Sequence, residues 1–173
     1  ENMNSILEGI EAQKTPDELF KTNLFDFDKV DFLKNIEGKV YGRQFAKGIL
    51  LKLDFLLNDN KTTKWSAFSQ ITIEHILPQT PSDSSQWKKD FTDIERAELT
   101  NKIGNLILLG RGKNASQGRL DYSEKQKKYF ANNINTFPNS LRVFNKYQTV
   151  WTKTELDENQ TNVITTLKNY YGI

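Results

Sequence analysis

The stretch "ITIEHILPQ", residues 71–79, holds the one histidine of the chain directly after a glutamate, and two asparagines follow downstream at Asn105 and Asn114. A neutral imidazole takes a proton from water near pH 7. A carboxylate and amide oxygens are the hard ligands that Mg2+ or Mn2+ accept. Hydrolysis of a phosphodiester asks for these parts: a base for water, a divalent cation for the charge on phosphate and leaving oxygen, and positioned donors. Glu74, His75, Asn105 and Asn114 supply one of each, with an amide to spare. Each residue also has a plainer reading. A lone imidazole at a strand end packs as a structural group, a single carboxylate pairs with a nearby lysine, and an asparagine after glycine marks a turn.

The elements that must position them follow from pattern. Ile71, Thr72 and Ile73 are a β-branched run that predicts a strand ending at Glu74 and His75, with Pro78 preventing continuation. Adjacent strand residues point to opposite faces, so Glu74 and His75 act on one phosphate only at an irregular strand end, which Pro78 supplies. "NLILLG" predicts a second short strand, Leu106 to Leu109, ended by Gly110. "RGKNASQGRLD" reads as a glycine-flanked basic loop or short turn, and "YSEKQKKYFANNI" as a helix capped at Ser123. The order is strand, connection, strand, loop, helix.

Around this middle the pattern is helical. Pro16 suits a first helical turn, Arg43 to Leu57 predicts a helix buried on one side, and "NDNKTT" a turn. Asp93 caps a helix that Gly104 stops, Ser82 to Ser85 are further candidate caps, and Leu156 to Tyr170 forms a final amphipathic helix. Trp87, Trp151 and the aromatic residues near the C-terminus read as packing anchors.

The chain of 173 residues fits one globular domain. Its 24 basic and 22 acidic residues leave a formal charge of +2, so a polyanion surface has to come from local clustering. Without cysteine, disulfides, thiolate nucleophiles and cysteine-ligated zinc are excluded, and one histidine excludes two-histidine zinc motifs. Arg111, Lys113 and Arg119 in the basic loop, with Lys125 and Lys128 on the following helix, are the candidate DNA-binding residues; a solvated surface is the other reading. No run of apolar residues reaches the length of a membrane span, and the chain is expected to be soluble. It opens at Glu1 in mid-pattern, so the expectation is a piece of a longer protein.

"IEHILPQ", then "IGNLILL", then "KNASQG" together resemble the HNH, or His-Me finger, nuclease motif. More narrowly they resemble the C-terminal nuclease domain of GmrSD-like modification-dependent restriction enzymes, including SspE-like proteins. The match is concentrated between Ile71 and Lys128. The resemblance implies an α+β, mostly helical fold: a ββα-metal core over residues 67–133, a helical lead-in over 1–66 and a helical C-terminal part over 134–173. It implies His75 as the general base and Asn105 as the residue bracing the ββα loop. It implies Glu74 and Asn114 as ligands of one Mg2+ or Mn2+. The offset 114 − 105 = 9 suits a His-Asn-Asn variant, and asparagine in place of histidine favours Mg2+ over Zn2+.

The expected activity is therefore that of a metal-dependent DNA endonuclease or nickase. The resemblance also implies an N-terminal nucleotide-hydrolysing sensor domain in the same parent chain and a cytoplasmic, bacterial, anti-phage restriction role directed at modified DNA. The alternative is a non-catalytic DNA-binding or interaction module that retains the HNH scaffold.

Overall fold

The computed structural model describes residues 2–58, 70–131 and 137–173. The chain divides into two compact units, residues 1–34 and 35–173. The boundaries expected at residues 66 and 133 lie outside the described residues, as does the predicted turn beyond Asn58.

The first unit carries α1 (Asn2–Glu11) and α2 (Pro16–Phe20), followed by a 3-10 turn at Asn23–Phe25. Pro16 does sit in the first turn of α2, where its missing N–H costs nothing. Thr15 and Glu18 close a reciprocal capping box ahead of it.

Next come α3 (Lys29–Glu37) and α4 (Ala46–Leu56). Helix α4 begins three residues later than the apolar spacing predicts. Val40 to Arg43 closes a tight turn first, with the Arg43 N–H on the Val40 carbonyl at 3.1 Å and Gly42 at φ +84°. That left-handed φ is open to glycine and strained for other residues. The inner face of α4 buries Ile49, Leu50 and Leu53.

The sheet has two antiparallel strands, β1 (Ile71–His75) and β2 (Leu106–Gly110). Their register pairs Ile71 with Gly110, Ile73 with Leu108 and His75 with Leu106. Leu106 to Leu109 are completely buried, which is why β2 reads as an unbroken apolar run instead of an alternation. The crossover between the strands holds α5 (Trp87–Asp90), α6 (Asp93–Leu99) and a 3-10 turn at Ile103–Asn105. Helix α6 is capped by Thr92 with Glu95 reaching back, so Asp93 lies inside the first turn instead of capping it.

The segment expected as a basic loop is a helix, α7 (Arg111–Gln117). Gly110 adopts the extended N-cap conformation, and Gly118 at φ +45° ends the helix, so the two flanking glycines bound a helix and not a turn. Helix α8 (Tyr122–Phe130) starts one residue before the expected Ser123 cap. Asp121 occupies the cap, and its carboxylate accepts instead from the Gln86 N–H at 3.0 Å, tying α8 to the start of α5.

Helices α9 (Pro138–Lys146) and α10 (Lys153–Tyr171) complete the fold. Helix α10 exceeds the predicted span at both ends, being opened by a Thr152–Glu155 capping box and closed by Gly172 in the left-handed conformation. One core joins the crossover to the C-terminal helices, built on Trp87, Phe91, Ile107, Tyr122, Phe144 and Trp151. Trp87 and Trp151 are anchors with satisfied indoles: Trp87 donates to the Leu120 carbonyl at 2.9 Å and Trp151 to Asn105 Oδ1 at 3.3 Å. The fold is thus mostly helical α+β, with a small antiparallel sheet.

Candidate active site

The loop after β1 is held by one side chain. Asn105 is fully buried, and its amide makes every bond it can. Its oxygen accepts from the Leu77 N–H at 2.8 Å and from Trp151; its nitrogen donates to the carbonyls of Leu77 at 2.9 Å and Thr100 at 2.8 Å. A single amide thereby ties the "HILPQ" loop to the end of α6. The Ile76 N–H to Asn105 carbonyl bond, at 3.0 Å, extends the ladder one residue beyond the strand, so the irregular strand end expected from Pro78 does not form at Glu74 and His75, which keep opposite faces.

Asn105 is itself positioned from α10. The residue before it, Gly104, donates its N–H to Gln160 Oε1 and accepts from Asn159 Nδ2, each at 2.6 Å. A Cβ at Gly104 would stand 2.6 Å from the Gln160 Cα, so only glycine lets this turn approach the helix.

His75, at the end of β1, is 8% exposed. Its Nε2 lies 3.1 Å from Asn101 Oδ1, and the ring of Tyr41 packs edge-on against the imidazole with centroids 4.2 Å apart. Gln79 donates to the same Asn101 oxygen at 3.3 Å, and with that oxygen assigned as the acceptor of both contacts the ring nitrogen is the donor. The hydrogen therefore sits on Nε2, and Nδ1 keeps its lone pair. Burial lowers the His75 pKa from 6.5 to about 4; the bond to Asn101 opposes this and the Lys125 charge adds to it. The imidazole is neutral at pH 7, the form a general base requires.

Glu74 goes to a different partner. Its carboxylate meets the Lys125 ammonium at 2.6 Å, and the same ammonium donates to the His75 carbonyl at 2.6 Å. The lysine side chain is 1% exposed and the glutamate side chain 11%. Burial pushes the Glu74 carboxyl up and the Lys125 ammonium down, while the attraction between them opposes both shifts.

Asn114, on α7, lies against β1, donating to Thr72 Oγ1 at 2.8 Å and to the Ile73 carbonyl at 3.2 Å. Thr72 and Glu74 share one face of the strand by its two-residue period, and Ile73 and His75 the other. Asn114 is thus drawn to the strand that carries Glu74. Among the described residues no group of three or more histidine, cysteine, aspartate and glutamate side chains could hold a metal ion. The candidate donors are the Glu74 carboxylate, already paired with Lys125, and the amide oxygen of Asn114. That set fits in kind a hard cation which keeps several water ligands, as Mg2+ does.

The expected basic surface is redistributed. Lys125 is withdrawn from it: an ammonium buried between Glu74 and the strand end cannot meet a DNA phosphate. Lys113 turns to the C-terminal end of α8, donating to the carbonyls of Lys128 and Ala131 at 3.1 and 2.6 Å, where a cation complements the helix dipole. Arg111, bonded to Gln70 Oε1 at 2.8 Å, and Arg119 and Lys128 are exposed.

Residues that sequence pattern did not single out also shape the site: Asn101, Tyr41, Asn159 and Gln160. Asn101 stands four residues before Asn105 in "LTNKIGN", inside what reads as the tail of a helix. Tyr41 and the two α10 residues are remote in sequence and carry no local signal.

The profile of the GmrSD restriction endonucleases, C-terminal domain, matches residues 26–166. The chain belongs to that family. The match spans both strands, α7, α8 and most of α10, so the site and its supports lie inside it. Membership in a family of restriction endonucleases implies nuclease function in restriction. No curated protein and no solved structure matches the chain. No helix among the described residues is long and apolar enough to cross a membrane.

Proposed function

We propose that this GmrSD C-terminal domain is a metal-dependent DNA endonuclease or nickase in which His75 is the general base. The observation that carries this reading is the His75–Asn101 contact, with Nε2 committed to an acceptor and a neutral Nδ1 left for water. Asn105 acts as a positioning residue that holds the loop on which the base sits. Glu74 and Asn114 would hold one Mg2+ or Mn2+. When bound, the ion supplies stabilisation of the charge that develops on the phosphate and leaving oxygens.

The exposed cations Arg111, Arg119 and Lys128 contribute phosphate contacts, which supply affinity without sequence choice. One site makes one cut, so a double-strand break takes two protomers or two successive nicks. In the wider reading the domain works in the bacterial cytoplasm. There a nucleotide-hydrolysing sensor domain of the parent chain directs it to modified phage DNA.

The Glu74–Lys125 ion pair favours the second reading, a DNA-binding module that keeps the scaffold without the chemistry, because Lys125 already neutralises the carboxylate. Nicking of supercoiled plasmid with Mg2+ or Mn2+ separates the two. The enzyme reading predicts nicking by the wild type and none by His75→Ala; equal behaviour of the two proteins favours the module.

A further inference from the structure

Beside His75 the chain forms a second, smaller piece of backbone pairing. Lys39 and Lys102 face each other in an isolated antiparallel bridge, and the N–H groups of Val40 and Tyr41 both donate to the Asn101 carbonyl, at 2.8 and 3.1 Å. The residues of this lip are the immediate neighbours of the two that touch the imidazole. Tyr41 packs on the ring and Asn101 bonds its Nε2, so each lysine is one or two residues from a His75 contact. A third cation, Arg43, follows in the turn that begins at Val40.

Two lysines directly opposite one another repel, and a fold places them so at a cost unless an anion lies between. Among the described residues none of Lys39, Lys102 and Arg43 makes an ion pair. Lys39 and Arg43 are exposed, Lys102 is half-buried, and Tyr41 is 39% exposed. Cations without counter-charge therefore cluster on the His75 side of the sheet, separate from α7 and α8, where sequence pattern had placed the basic surface.

We propose that the lip of residues 39–43 and 101–102 is a DNA-backbone clamp, with Lys39 and Lys102 straddling a phosphate next to the one that His75 attacks through water. This rests on the nuclease reading for the position of the scissile phosphate, though not for the binding itself. The clamp reads no sequence; it fixes the register of the strand relative to the imidazole.

The test is binding of a short labelled DNA duplex by the full chain in EDTA, followed by anisotropy across a salt series. The proteins compared are wild type, Lys39→Ala with Lys102→Ala, and the charge-keeping pair Lys39→Arg with Lys102→Arg. Each phosphate contact contributes roughly 0.9 to the slope of log affinity against log salt. The alanine pair is expected to bind more weakly at low salt with a slope smaller by about 1. The arginine pair is expected to restore both. An unchanged slope in the alanine pair, or no duplex binding by the wild type, overturns the clamp. Plasmid nicking run beside it keeps the two proposals apart. Duplex binding that depends on the lysines without any nicking leaves the clamp standing and removes the nuclease. Nicking by the alanine pair with wild-type half-saturation leaves the nuclease and removes the clamp.

Discussion

The side-chain oxygen of Asn101 lies 3.1 Å from Nε2 of His75, and the backbone carbonyl of the same asparagine anchors the segment that lays Tyr41 on the imidazole. One residue thus sets both the tautomer and the packing of His75. Asn101→Leu removes the acceptor while keeping the backbone contacts. The expected result is a kcat roughly 10- to 100-fold lower. Asn101→Asp keeps an acceptor and adds a negative charge, which raises the His75 pKa and moves the acid limb of the rate profile to higher pH.

The pH dependence of the wild type follows from the same burial. Because the folded pKa of His75 is lowered from 6.5 to about 4, the imidazole stays unprotonated well below neutrality. The acid limb of kcat/KM is expected below pH 6, not near 6.5 as for a solvated imidazole. Stability has the matching sign. The contribution from keeping His75 neutral is complete above pH 6.5 and is lost as pH falls towards 4. Asp54 works in the opposite sense, since burial raises it from 3.8 to about 7 and its contribution is lost as pH rises through that range. Thermal melts of wild type and His75→Gln across pH 4 to 7 therefore have to be read as a difference, which is expected to shrink towards acid.

Removing Asn105 leaves the N–H and carbonyl of Leu77 and the carbonyl of Thr100 without their partner in a buried site. With about 1–3 kcal/mol for each group left unsatisfied, Asn105→Ala is expected to cost roughly 3 kcal/mol or more in urea unfolding. Gly104→Ala drives a methyl into the α10 backbone. It is expected to destabilise by about 1–3 kcal/mol and to lower activity further than stability, because the turn it displaces carries Asn105.

The Glu74–Lys125 pair makes a prediction about stability that is separate from any metal. Lys125→Met leaves a buried carboxylate without its counter-charge and is expected to cost about 3–5 kcal/mol. Glu74→Leu strands the ammonium in the same way. The double replacement Glu74→Leu with Lys125→Met is expected to recover most of the loss, as buried pairs exchanged for packed apolar side chains do. Equilibrium unfolding of the four proteins reads the coupling directly; additive losses would mean that the two charges do not interact.

The strands were legible because β-branched and aliphatic runs bounded by Pro78 and Gly110 have few alternatives. The candidate residues of β1, Glu74 and His75, stand out in the sequence because an isolated imidazole and a carboxylate lie beside each other. The helix at Arg111 was not, since its flanking glycines signal turns as readily as caps. Lys125 shows the deeper limit. On a helix rich in lysine nothing local distinguishes the one that faces inward, and only the arrival of Glu74 from 51 residues earlier gives it a counter-charge. Asn101, Asn159 and Gln160 were hidden for the same reason, because their partners are brought to them by tertiary packing.

The central claim is that His75 activates water, and relaxation of supercoiled plasmid by purified protein with Mg2+ or Mn2+ tests it most directly. The account predicts metal-dependent nicking by the wild type and its loss in His75→Ala, with the variant still folded by circular dichroism and still binding duplex. Nicking by His75→Ala at the wild-type rate would contradict it.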